Sequence, residues 1–150
     1  MTGFNHGLTG AVIGLAIKDP IFALPLAFAS HFLCDIIPHF GLKAKNKRQK
    51  RLSNIQHLVD LILILGLITF LLIIDVGWTP ILALILAGSP DFAWLYRYEV
   101  KEKLLKQKLG TMSKFNTWHA NIQWSETVWP GALIEAIYAV IMLIILSNLL

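Results

Sequence analysis

Polar stretches divide the apolar residues of this chain into runs of helix length. Segments 53–74 and 128–150 are long enough to cross a hydrocarbon core, which takes about 20 helical residues. Segments 20–38 and 78–96 are marginal spans, and 6–17 reads as a short or partly re-entrant first helix. Local signals place several ends. Ser53 and Gln56 form a capping-box pattern that predicts the start of the third helix. Pro20 and Pro80 lie near helix starts, where a missing N–H costs nothing, and Pro38 closes the second helix just before His39. Ser89-Pro90-Asp91 has the order of an N-cap, first position and first turn.

Composition turns these runs into a fold class. Of 150 residues, 56% are hydrophobic, and the mean hydropathy of +0.65 lies far above that of soluble domains. The expectation is an all-α integral membrane bundle of four to five transmembrane helices in a single domain, 1–150. No basic residue precedes the first apolar run and no small-residue cleavage site follows it, so no signal peptide is predicted and the N-terminus is expected to be retained.

The net charge of +4 gains meaning when mapped. Six of the thirteen Lys and Arg fall in 43–51 and six in 97–114. The positive-inside rule then places both stretches and the N-terminus in the cytoplasm, with the chain integral to the inner membrane. Insertion topology accounts for these charges, and no aromatic interleaving accompanies them, so membrane lipid is the expected partner and nucleic acid is not. Gly10 and Gly14, like Ala23 and Ala27, have the small-xxx-small spacing that lets helices approach closely in lipid. Trp78, Trp94, Trp118, Trp124 and Trp129 fall near segment ends, as interfacial anchors do. Cys34 is the one cysteine, which excludes an internal disulfide and a four-cysteine zinc site and reads as a small buried hydrophobe.

Against this apolar background the ionisable residues stand out, because a charge in hydrocarbon costs several kcal/mol unless paired, protonated or metal-bound. His6, His31, His39, His57 and His119, with Asp35, Asp60, Asp91 and Glu126, map to one edge of the apolar segments. Positions 31, 35 and 39 each advance about 40° around a helix, so they share a face and favour metal ligation over simple interhelical hydrogen bonding. His57 with Asp60, and His119 with Glu126, are also spaced to share a face. Each has a plainer reading, as an interfacial residue or a partner of a helix dipole. Asp91 taken alone is equally a helix-start residue. Glu135 lies deeper, as an outer-shell partner, a substrate contact or a protonated packing residue.

Asn5-His6-Gly7-Leu8-Thr9-Gly10, the stretch from His31 to His39, and Gly88-Ser89-Pro90-Asp91 resemble the small inner-membrane metal-dependent hydrolases described as LexA-binding. That family is distantly similar to the zinc-dependent phospholipase C and P1 nuclease group. The resemblance implies His6, His31, Asp35, His39 and Asp91 as metal ligands. Here Asp91 is followed by Phe92-Ala93-Trp94, where the family has a second acid and a His.

The expected activity is metal-assisted hydrolysis of a phosphoester such as a phospholipid at the cytoplasmic membrane face. One or two divalent ions, zinc first and manganese or iron as alternatives, would activate water and neutralise charge on a phosphoryl oxygen. His57 and His119 would add ligands. Glu126 is the first candidate for general base, with Asp60 beside it, and Arg97 and Glu135 are candidate substrate contacts. Two other classes compete: a transporter of divalent metal or protons, and a metal-stapled structural bundle with saturated ligands. A homo-oligomer is compatible with each.

Overall fold

The structure, a computed structural model, describes residues 1–40, 47–92, 110–126 and 128–150. It is all-helical apart from one short strand pair. Helices α1 (Gly3–Ile17), α2 (Pro20–Ile36), α3 (Lys47–Ile73), α4 (Trp78–Gly88), α5 (Gly110–Ile122) and α6 (Val128–Leu149) are joined by a 3-10 turn, Ser89–Asp91, and by strands β1 (His39–Phe40) and β2 (Ser125–Glu126). The strands pair in parallel, His39 with Ser125 and Phe40 with Glu126.

Helices α3 and α6 are long and apolar enough to cross a membrane. Only 11% and 17% of their most apolar stretches are buried within the chain. Ile62, Phe70, Ile137 and Ile144 are among the many apolar side chains that they turn outward. Helices α1, α2 and α4, with 15, 17 and 11 residues, fall short of a full span.

Small residues hold the centre together. Helix α1 runs antiparallel to α4 in very close approach: a methyl on Gly10 would collide with the carbonyl group of Ala83 and stand 2.8 Å from Ala87 Cβ, and one on Gly14 would reach 2.5 Å from Pro80 Cα. Ala27 of α2 meets Ala83 and Ala87 of α4 in a second small-residue contact. The Gly10–Gly14 spacing is thus a packing seam, and Ala27 supplies a second small-residue contact, as in lipid-embedded bundles. Leu8 and Val12 of α1, Leu67 and Leu71 of α3, Ile81 and Leu84 of α4 and Leu146 of α6 complete the core.

The helix ends differ from expectation in three places. Helix α3 is already helical at Lys47, so Ser53 and Gln56 lie inside it and the capping box is not used. The intervening Lys, Arg, Gln and Leu are strong helix formers, and their propensity overrides the local cap signal. Ser89 does not cap forward; its hydroxyl donates back to Leu86 O at 2.8 Å. Helix α1 starts at Gly3, where Thr2 has N-cap dihedral angles without a side-chain cap bond. That task falls to Asp60 of α3, whose two carboxylate oxygens accept from Gly3 N at 2.9 Å and Phe4 N at 2.8 Å. Asp19 caps α2 in the ordinary way, accepting from Ile21 N at 2.9 Å with Pro20 as the first helical residue.

Candidate metal centre

Alternating helix directions bring the start of α1, the end of α2, the turn after α4 and the end of α5 to one end of the bundle. There His31, Asp35, Asp91 and His119 place one ligand atom each within 4.8 Å of one another, a group that could hold a metal ion. The side chains of His31, Asp35 and His119 are fully buried, whereas that of Asp91 is 39% exposed.

Hydrogen bonding orients His31. Its Nδ1 lies 2.8 Å from the carbonyl oxygen of Ala87, which can only accept, so Nδ1 carries a proton, and in the neutral form of the ring the Nε2 lone pair is the one that faces inward. That Nε2 faces Asp35 Oδ2 at 3.3 Å, Asp91 Oδ1 at 3.6 Å and His119 Nε2 at 3.0 Å. His119 Nε2 is also 2.7 Å from Asp35 Oδ2, and one proton on it cannot serve Asp35 and His31 together. Several lone pairs therefore converge on one point. A cation relieves such an arrangement, and ligand atoms at about 2.0–2.1 Å around a tetrahedral zinc are themselves about 3.3 Å apart, within the spread seen here.

The surroundings orient these ligands. Asp35 Oδ1 is held by the Met1 amino group at 2.7 Å, with His6 Nε2 lying 3.2 Å away, while Gln123 Nε2 donates to Oδ2 at 3.3 Å. The His6 ring stacks on His31 with centroids 4.0 Å apart. Trp124 stitches the chain across the site, its N–H donating to Asp35 O and its carbonyl accepting from His39 N, both at 3.1 Å. Phe32 and Phe115 flank His119 with centroids 5.6 and 5.8 Å away. Burial pushes the Asp91 carboxyl above the usual carboxylate range, with the nearby His31 acting in the opposite sense.

Other candidate residues have different surroundings. His39 is buried, but its Nδ1 bonds to Ile37 O at 2.8 Å and it is outside the four-residue group; burial holds its imidazole below the ordinary value. His57 is exposed on α3 and lies outside the group as well. Asp60 caps α1. Glu126 does not continue the face of His119, because α5 ends at Ile122 and Glu126 belongs to β2; its side chain lies outside the described residues. Arg97 is also outside them. Glu135 is buried on α6 and accepts from Phe40 N at 3.2 Å, tying β1 down over Gly131, where a methyl would stand 2.6 Å from Phe40 N. Gln123 was not among the expected residues; it lies one residue beyond the end of α5, four positions after His119.

Beneath the centre lies a second buried polar layer. Thr9 Oγ1 donates to Asn5 O at 2.7 Å, so its 2.7 Å contact with Tyr138 Oη takes the phenol proton. Tyr138 then accepts from the Cys34 thiol at 3.3 Å. The thiol is a donor in this chain, which suits a packing residue and not a nucleophile.

Comparison with known proteins gives no match: no family model, no curated protein and no solved structure is significantly similar to the chain.

Proposed function

We propose that the chain is an integral membrane, metal-dependent hydrolase acting on a phosphoester such as a phospholipid headgroup, akin to the small inner-membrane hydrolases it resembles. The observation that carries this reading is the convergence of His31, Asp35, Asp91 and His119 at one end of a bundle whose outer surface is apolar. In this reading α3 and α6 span the inner membrane and α1, α2 and α4 lie within its thickness, making a bundle of four to five membrane helices. The basic stretches put the site on the cytoplasmic side.

A zinc ion, or manganese or iron, held by the four residues would supply Lewis acidity and lower the pKa of a bound water. The chain's own groups do the rest. Asp35 presents Oδ2 to the ion position while the Met1 amino group fixes Oδ1, and the Ala87 carbonyl keeps the His31 lone pair inward. Glu126 remains the proposed general base, and Arg97 the proposed contact for an anionic headgroup.

The decisive experiment purifies the protein in detergent without chelator, quantifies bound metal, and assays a chromogenic phosphodiester and a phospholipid. About one ion per chain, lost in His119→Ala together with hydrolysis, is the expected result. Metal-free wild-type protein would refute the reading. A second reading is favoured by the ligand count: four protein ligands saturate a tetrahedral ion, as in structural sites. Bound metal without hydrolysis of either substrate would select that reading.

A further inference from the structure

The four ligands of the centre are held unequally. His31 is locked by the Ala87 carbonyl, Asp35 by the Met1 amino group and Gln123, and His119 between Phe32 and Phe115. Asp91 has no such backing. Its side chain reaches solvent, its 3.6 Å separation from His31 Nε2 exceeds those of Asp35 and His119 from that atom, and it lies in a three-residue turn. Among the described residues, no hydrogen-bond donor reaches its carboxylate.

We propose that Asp91 is the exchangeable ligand of the centre, and that it yields its position to an anionic oxygen ligand such as phosphate. The inference rests on the metal centre proposed above and deepens it by naming where, and for what, the coordination shell opens. Catalytic metal sites keep three fixed protein ligands and one open position, and His31, Asp35 and His119 supply the fixed three. Charge selects the entrant. A divalent ion with two neutral imidazoles and two carboxylates sums to zero, so departure of Asp91 leaves one net positive charge in poorly solvated surroundings. A phosphate monoanion restores neutrality, whereas a water molecule does not. Exchange of carboxylate for phosphate therefore keeps the local charge constant, and the vacated position prefers anions.

Cobalt(II) is the probe, because its visible absorption reports coordination in the folded, detergent-solubilised full chain. Wild type is expected to take up Co²⁺ and to change its spectrum on titration with inorganic phosphate. Asp91→Asn should still bind Co²⁺, because His31, Asp35 and His119 remain as ligands. Its half-saturating phosphate concentration should fall, because the competing carboxylate is gone. His119→Ala should lose Co²⁺ altogether. Loss of Co²⁺ from Asp91→Asn as complete as from His119→Ala, with Asp91→Glu failing to restore it, would overturn the proposal. So would Co²⁺ spectra of wild type and Asp91→Asn that phosphate leaves unmoved. Wild type that takes up no Co²⁺ would overturn the metal centre and this inference together. A phosphate-responsive cobalt protein that cleaves no phosphoester would sink the hydrolase alone.

Discussion

Two glycine-to-alanine substitutions should move stability in opposite directions, Gly10→Ala in α1 and Gly66→Ala in α3. Alanine is favoured over glycine inside a helix by about 0.8–1.0 kcal/mol, and this gain applies at both sites. At Gly66 nothing lies within 4 Å of the added methyl, so the gain stands alone. At Gly10 the methyl meets the Ala83 carbonyl and Ala87 Cβ, and a backbone group cannot swing aside as a side-chain tip can. Overpacking of this kind costs typically about 1–3 kcal/mol, and the rigid obstacle puts Gly10 in the upper part of that range. The net expectation is a loss of about 1–2 kcal/mol for Gly10→Ala and a gain of about 1 kcal/mol for Gly66→Ala. The two variants would then differ by roughly thirty- to hundredfold in unfolding equilibrium. Unfolding in mixed micelles of rising SDS fraction, followed by helical circular dichroism, reads both. Equal shifts of the same sign would refute the close approach of α1 and α4.

Removing the Asp60 carboxylate in Asp60→Ala should destabilise the protein by about 1–2 kcal/mol, since two backbone N–H groups of α1 lose their partner, while bound metal is retained. A stable, metal-loaded variant without hydrolytic activity would return Asp60 to the catalytic residues. Tyr138→Phe should cost about 1 kcal/mol, because it takes the acceptor from the Cys34 thiol and the donor from Thr9; unchanged unfolding midpoints would contradict the polar layer. His39 supplies a pH dependence. Its folded-state pKa lies below the ordinary 6.5, so the unfolded chain binds the proton more readily and stability falls as pH drops below about 6.5. His39→Gln should flatten that slope between pH 5 and pH 7, measured as unfolding midpoints; an identical slope would exclude His39 as its source.

How far the sequence carried depended on whether the determining contact was local. His31 and Asp35 are one helical turn apart, so their common face followed from spacing. The Gly10–Gly14 seam and the Ala27 contact followed from side-chain size alone. The start of α3 did not, because a capping box is a weak local preference within a run of good helix formers. Asp60 was visible as a partner for a helix N-terminus, but the helix it serves is α1, 56 residues away from it at Phe4, and no local pattern encodes that choice. His119 and Glu126 have a helical spacing that counts only while the helix continues, and α5 stops at Ile122. Gln123 escaped notice because a neutral amide carries no penalty that singles it out until its carboxylate partner is known.

The separation of the ligands along the chain sets the order in which this protein matures. His31 and Asp35 are synthesised 88 and 84 residues before His119, and α1 to α4 can dock through their small-residue contacts in the meantime. During that interval the growing chain holds two carboxylates and one imidazole of the set. The four-residue group is completed only when α5 emerges and the strand pair closes at Ser125 and Glu126, so any ion that it holds would be acquired at the end of biogenesis. A ribosome stalled before His119 would leave a chain that carries His31, Asp35 and Asp91 without the second imidazole, an unfinished acidic end.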